Sequence, residues 1–578
     1  MHGARDTYGI FRIVTVSKGF VVSTVSAHVA LTLARHLDHV FGIMGNGNAY
    51  FLDALERETN AVYTPVRHEA GAVVAADAFY RVCGRIAAAT ATYGAGFTNT
   101  LTALAEAVQA RIPLILVVGD EPTSGPRPWD VDQIALAAAV GARTYTVGRA
   151  DAAATTIIAV EHALTYRVPT VLAIPYDVAA LEAGPVPPAP EPHVPSPMQP
   201  ADPFTLATLD LVADALAGAR RPFLLAGRGA WLADAGANLG ELAEVTGAVT
   251  ASTALGRGIF PDSRHDLGVT GGFGAKPAMD LVHEADVAIV FGASLNQFTM
   301  RFGDLFAPQT QVVQVDTAAA ATHPHVGRFV RGDARLVAGE LVERLRARGG
   351  SPSGWRETID VTTLTRRERA GEFASDGRLD PRAVAARLAE LLPDDRVVVQ
   401  DGGHFMGWPN MYWQVASPER MLMVGTAYQS IGLGMPSAAG AALAKPESTV
   451  VLSTGDGGGL MALADLETAV RVAGGHGMAV VWNDAAYGAE VNLYGLKGLA
   501  REPMLIPDVD FAALAASVGA EGVVVRSLAD LDRLESWTAT PAAERRFLLL
   551  DCRISPNVIS PHQREVIRAN GVPEPAGD

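Results

Sequence analysis

TVVLSTGDGGG, residues 449–459, is followed by MAVVWND at residues 478–484. Thr449–Ser453 is a short β-branched, apolar run, and Gly455–Gly459 is too rich in glycine to be anything but a tight turn. Ala464–Ala473 spaces its apolar residues as a helix does, and Met478–Trp482 reads as the next buried strand. This order of strand, turn, helix and strand sets Asp456 and Asp484 at the carboxyl ends of two strands, where open α/β sheets bind ligands. Between them, the N–H groups of Gly455, Gly457 and Gly458 and a helix N-terminus face an anion. Two carboxylates beside a phosphate cradle suit a hard cation bridging to a diphosphate, so the stretch reads as a magnesium–diphosphate site.

The chain around this motif has 578 residues, a length that corresponds to about three or four domains. Two linkers divide it. Residues 184–203 contain nine prolines and read as an extended connector. Residues 351–378 are charged and polar and form a second boundary. The expected organisation is an extension over 1–20, domains over 21–183, 204–350 and 379–560, and a tail over 561–578. Each domain alternates strand-like runs such as Leu114–Val118, Phe223–Ala226 and Val397–Gln400 with helix-like segments. The fold class is α/β, with three doubly wound parallel-sheet domains.

A net charge of −16 argues against nucleic acid or an anionic membrane as partner. Cys83 and Cys552 are too few for a disulfide framework and fit a reducing compartment. No run approaches an uncharged membrane span, and Phe11–Val16 is too short and too interrupted for a signal core. The expectation is a cytoplasmic protein.

The motif resembles the thiamine diphosphate motif, which opens with GDG and closes with an asparagine-rich turn. The resemblance implies metal ligation by Asp456, by Asp484 and by the backbone carbonyl of Ala486, with Tyr487 beside the coenzyme. The family most often has asparagine where Asp484 stands, and the choice between Asn483 and Asp484 stays open. Arg67-His68-Glu69, ahead of the helical run Ala70–Arg81, resembles the R-H-E segment of the acetolactate synthase and 2-oxoacid decarboxylase superfamily. There the glutamate bonds the aminopyrimidine ring and favours the imino tautomer, which removes the thiazolium C2 proton. Phe41–Gly45 resembles the family's first strand and turn, with Met44 in place of proline. Gly94–Asn99 resembles its G-P-G-x-T-N turn. Gly425–Pro436 resembles the segment that clamps the coenzyme, placing Ile431 at the bulky wedge with Gln429 beside it. Asp401–His404 lies where the family contacts the diphosphate. The resemblance spans residues 22–555 and implies a homodimer or homotetramer with active sites between subunits.

For the reaction, Glu490 matches a position where simple 2-oxoacid decarboxylases carry a glutamate near the intermediate. Gln133 falls where related carboligases keep a glutamine near substrate, and Asn46 stands where many simple decarboxylases have aspartate. Tyr50, Tyr93, Phe97 and Tyr428 are pocket candidates by loop position. The expectation is a decarboxylase or carboligase acting on a 2-oxoacid. Cleavage of a 2-hydroxyacyl-CoA thioester is the alternative, and an inactive coenzyme-binding subunit a third reading. Gly227-Arg228-Gly229 follows a strand without the third glycine or ribose-binding acid of a dinucleotide fingerprint. The resemblance allows FAD or ADP there.

Overall fold

Unbroken runs of Val, Leu, Ile and Ala form strands buried on both faces, the pattern that parallel sheets covered by crossover helices require. The computed structural model describes residues 23–188 and 190–573, so the expected extension over 1–20 lies outside them. In the first domain the strands are β1 (His39–Gly42), β2 (Val62–Pro65), β3 (Ala88–Ala91), β4 (Ile115–Asp120), β5 (Arg143–Thr146) and β6 (Thr170–Pro175). They pair in parallel in the order β2-β1-β3-β4-β6-β5. Helix α1 (Glu69–Cys83) follows β2, and α2 (Leu101–Gln109) follows the turn after β3.

The second domain holds β7 (Pro222–Ala226), α3 (Arg228–Leu232), β8 (Val249–Ser252), β9 (Asp266–Val269), β10 (Val287–Phe291), β11 (Gln311–Asp316) and β12 (Val326–Arg331). Its parallel order, β9-β8-β7-β10-β11-β12, reverses between β7 and β10. The third domain holds β13 (Arg396–Gln400), β14 (Met421–Met423), α4 (Gly434–Ala444), β15 (Thr449–Gly455), α5 (Asp456–Met461), α6 (Leu466–Ala473), β16 (Gly477–Asn483), β17 (Glu521–Val525) and β18 (Leu548–Arg553). Its order, β14-β13-β15-β16-β18-β17, repeats that of the first domain.

The first and third domains share one core. Ala75, Phe79 and Val82 of α1 lie in the same apolar cluster as Met435, Ala438 and Ala441 of α4. The helices approach so closely at Gly440 that a methyl group there would land on the carbonyl of Ala75.

The proline-rich connector begins where Glu182–Gly184 pairs antiparallel with Ser23–Thr24. The stretch 351–378 is laid on the neighbouring domains rather than hanging free. Ser353 N donates to Thr246 O at 3.0 Å, and Ala374 and Gly377 close a turn before Leu379 N reaches Arg553 O. The C-terminal segment corrects the expectation of a tail. Pro561–Ala569 forms helix α7, whose Ser560 cap accepts from Gln563 N and whose Ile567 is fully buried. The cue was local: a serine before proline is a strong start signal, and the apolar spacing behind it is helical.

Candidate active site

β15 and β16 are neighbours in parallel register, with Gly455 opposite Trp482, so Asp456 and Asp484 leave the sheet side by side. They are only 2 % and 4 % exposed. Asp456 Oδ1 accepts from Gly457 N at 2.9 Å, and Asp484 Oδ1 accepts from Ala486 N at 3.2 Å. The Oδ2 atom of each is buried without a hydrogen-bond partner. Burial, reinforced by the facing Asp484, pushes Asp456 up to about 7, and burial pushes Asp484 to the same range. Two buried carboxylates with bare outer oxygens are costly unless a cation joins them. The donor set fits a hard divalent ion: two carboxylate oxygens with the Ala486 carbonyl close by in sequence. Ala485 adopts a left-handed φ of 61°, a strained non-glycine geometry of the kind kept at functional sites. Asn483 Oδ1 also lacks a partner, but its amide nitrogen is tied to Asp551 Oδ1 at 2.9 Å and to Val509 O at 3.2 Å. Asp484 is the freer donor.

The glycine turn stays bare because nothing larger fits. A methyl at Gly457 would stand 2.7 Å from Tyr487 Cε1, and one at Gly458 2.7 Å from Asp401 Oδ2. Such a surface fits a diphosphate. Asp401 is fully buried and accepts from Gly402 N (2.8 Å), Gly432 N (3.0 Å), Leu433 N (3.3 Å) and Thr454 Oγ1 (3.0 Å). It thereby pins the loop carrying Ile431 against the glycine turn. His404 is buried, with Nε2 3.6 Å from Asp484 Oδ2. Burial lowers its pKa to about 4 against the opposing pull of Glu490, so the ring is neutral near pH 7. Glu490 is exposed on the turn Gly488–Glu490, and the chain then enters a π-helical turn, Val491–Gly495. Such turns recur at functional sites.

The first domain supplies a second cluster. Glu69 opens α1, half-buried, and its Oε2 accepts from Asn99 Nδ2 at 3.0 Å. A methyl at Gly96 would sit 3.4 Å from Glu69 Oε1, so the Gly94–Asn99 turn closes directly over the carboxylate. Gly45 N donates to Asn48 Oδ1 at 2.8 Å, and Asn48 Nδ2 reaches Ile43 O and Thr90 Oγ1. Asn48 therefore shapes the Gly45 turn, a role that sequence reading missed although the glycines flanking it marked the turn. Large apolar side chains stand exposed on both domains: Met44, Tyr50 and Trp129 on the first, and Tyr428, Met461 and Leu499 on the third.

The pocket candidates lie in different settings. Gln133 is 3 % exposed; its Oε1 accepts from Gly94 N, and its Nε2 donates to Gly119 O and Asp120 Oδ1. Its amide is spent on knitting loops together, not on substrate. Phe97 is fully buried in the core. Asn46 and Gln429 are exposed, and Tyr428 presents its ring to solvent. Tyr93 is half-buried beneath the Arg127 guanidinium, 4.1 Å from the ring centre, and Arg127 is fixed by a bidentate bond to Asp130. No sequence signal marked Arg127, because a loop arginine gains meaning only from its neighbours.

The second-domain turn is tied to the neighbouring strand end and to itself. At the reversal of strand order, Gly227 N donates to Phe291 O, Gly229 N to Gly292 O and Ala230 N to Gly227 O. Three backbone donors of this turn are thereby taken within the protein. Arg228 turns away to the Ala110 carbonyl of the first domain, 2.6 Å from Nη1.

The chain was compared with known proteins. The family models for the N-terminal TPP binding domain, the central domain and the C-terminal TPP binding domain of thiamine pyrophosphate enzymes match residues 23–139, 209–341 and 401–552. The chain is 29 % identical over 525 residues to acetolactate synthase of Mycobacterium avium, covering 84 % of this chain and 80 % of that protein. It is 28 % identical over 555 residues to sulfoacetaldehyde acetyltransferase of Alcaligenes xylosoxydans xylosoxydans, covering 87 % and 88 %. Its fold is similar to that of Rhodococcus jostii RHA1 thiamine diphosphate-dependent 4-hydroxybenzoylformate decarboxylase. The TM-score is 0.75 at 22 % identity, over 92 % of this chain and 99 % of that one.

Proposed function

This chain belongs to the thiamine pyrophosphate enzyme family, and from that premise we propose that it is a magnesium-dependent decarboxylase or carboligase of 2-oxoacids. The observation that carries the proposal is the buried pair Asp456 and Asp484, each with a bare Oδ2 beside a glycine turn. Such a pair is costly alone and favourable around a cation that holds a diphosphate. When bound, thiamine diphosphate supplies a carbanion at C2 that adds to a carbonyl and stabilises charge as carbon dioxide leaves.

The protein's own groups have separable tasks in this reading. Asp456, Asp484 and the Ala486 carbonyl hold the magnesium ion, and Gly455, Gly457 and Gly458 leave room for the diphosphate. Glu69, oriented by Asn99, holds a proton at the aminopyrimidine ring. Ile431, on the loop after β14, would support the bound coenzyme. Glu490, close to His404, delivers or removes a proton on the substrate side.

Glu69's hydrogen-bond partner is Asn99 of its own domain, and both domains expose large apolar side chains. These features favour a homodimer or homotetramer, in which one subunit's Glu69 faces another's carboxylate pair. Among the described residues no helix is long and apolar enough to cross a membrane, in keeping with a cytoplasmic enzyme.

The test is carbon dioxide release from a panel of 2-oxoacids with thiamine diphosphate and magnesium, with and without an aldehyde or second 2-oxoacid as acceptor. Release that depends on both supports the proposal. Cleavage of 2-hydroxyacyl-CoA thioesters without any release from 2-oxoacids would replace it with the lyase reading.

A further inference from the structure

Away from the carboxylate pair, all three domains meet at a buried charge cluster. Arg81, near the end of α1, is 5 % exposed, and Asp77 and Glu106 are each 1 % exposed. Arg81 Nε donates to Asp77 Oδ1 at 2.5 Å, and Nη2 donates to Glu106 Oε1 at 3.1 Å. Nη1 reaches across to the carbonyl of Met423, the last residue of β14, at 3.2 Å. The second oxygen of Glu106 crosses the same boundary. Its Oε2 accepts from the backbone N–H of Tyr428 at 2.7 Å. Arg228 of the second domain lies close enough for Arg81 to repel it.

The segment so gripped is the loop after β14, which carries Ile431. Its backbone is demanding: Gly425 has φ 101°, Gln429 φ 59° and Gly432 φ 81°. A left-handed glutamine is disfavoured unless its surroundings impose it. Asp401 holds the far end of the loop through Gly432 N and Leu433 N. At the apex the Tyr428 ring is 51 % exposed, so side-chain packing gives little hold. Ser430 N closes the loop on Gly425 O at 2.8 Å, and the charged hydrogen bond from Tyr428 N to Glu106 is what ties the apex to the first domain; such bonds are stronger than neutral ones. Helix α1 opens with Glu69 and carries Arg81 in its last turn. One rigid element therefore connects the acid of one half-site to the loop of the other.

We propose that Glu106 is a positioning residue, which through Tyr428 N–H fixes the apex of the Gly425–Leu433 loop and so places Ile431 at the coenzyme. This inference rests on the thiamine diphosphate reading above and extends it to a residue in the core of the first domain.

The test compares Glu106→Ala, Glu106→Gln and Tyr428→Pro. The glutamine keeps an oxygen acceptor. The proline deletes the N–H on an exposed loop and leaves Arg81, Asp77 and Glu106 in place. Two measurements are read: deuterium uptake by the amides of residues 424–433 in coenzyme-free protein, and exchange of the C2 proton of bound thiamine diphosphate. Glu106→Ala is expected to speed loop uptake and to slow C2 exchange, each by about tenfold or more, from the loss of one charged hydrogen bond. Glu106→Gln should stay within a few-fold of the parent. Tyr428→Pro should slow C2 exchange as Glu106→Ala does, with a thermal midpoint no lower than that of Glu106→Ala. That combination would not arise from a merely structural role. If Glu106→Ala does not fold, Tyr428→Pro decides alone.

Parent-like C2 exchange in Tyr428→Pro, or unchanged loop uptake in a folded Glu106→Ala, overturns the inference. A parent protein that exchanges the C2 proton but decarboxylates no 2-oxoacid overturns the proposed reaction and leaves this inference standing.

Discussion

Replacing Asp484 by asparagine should make the coenzyme-free protein more stable. Asp484 is 4 % exposed beside an equally buried Asp456, and burial raises its pKa from 3.8 to about 7. That shift is about three pK units at about 1.4 kcal/mol each, which sets a ceiling of about 4 kcal/mol on the cost of ionising the group in the fold. Asparagine keeps a buried polar group, and local relaxation absorbs part of the repulsion, so a gain of about 2 kcal/mol at pH 8 is expected. The sign follows from proton uptake. With a raised native pKa, the folded protein binds more protons than the unfolded chain between about pH 4 and 7. The group's contribution to stability is therefore lost as pH rises through that window. The variant should lose less stability across it than the parent, and the two should converge near pH 4. Asparagine also retains an oxygen donor, so magnesium-dependent coenzyme binding should stay within about tenfold. Urea denaturation in EDTA at pH 5, 6, 7 and 8 measures the difference directly. A variant less stable than the parent at pH 8, or one with the same pH slope, would refute the claim that the pair is held at a cost.

Glu69→Gln should leave coenzyme affinity within about tenfold but lower turnover by about 10²–10⁴, the usual worth of a positioned acid or base; C2-proton exchange at the parent rate would contradict its role. Glu490→Gln should reduce turnover more than coenzyme binding, read as kcat against the thermal shift produced by the coenzyme; parent turnover would return Glu490 to an ordinary surface residue. Gly440→Ala sets a methyl on the Ala75 carbonyl at the shared core of the first and third domains. It should cost about 1–3 kcal/mol by overpacking, measured by denaturation, and a neutral result would show that α1 and α4 part freely.

The sheets were legible because parallel strands are buried on both faces and announce themselves as unbroken apolar runs. Pro113–Gly119 and Thr449–Gly455 are examples, and both lie at the centre of their sheets. The carboxylate pair was legible for a related reason: a strand end followed by glycine allows an acid few destinations. What escaped were contacts between residues far apart in the chain. Tyr428 and Glu106 are 322 positions apart, and neither carries a local signal of the other. Gln133 was placed near substrate only because related carboligases keep a glutamine there, but its amide has three partners inside. The segment after residue 560 was read as a tail although Ser560-Pro561 begins a helix; its docking depends on Arg301, whose Nε meets Glu565 Oε1 at 2.6 Å.

The central claim is that Asp456 and Asp484 hold a cation that in turn holds thiamine diphosphate. Titration calorimetry of thiamine diphosphate into the parent protein and into Asp456→Ala, with magnesium or with EDTA, tests it most directly. The account predicts saturable binding by the parent only with magnesium, and no binding by a folded Asp456→Ala. Equal binding in EDTA, or undiminished binding by the variant, would contradict it.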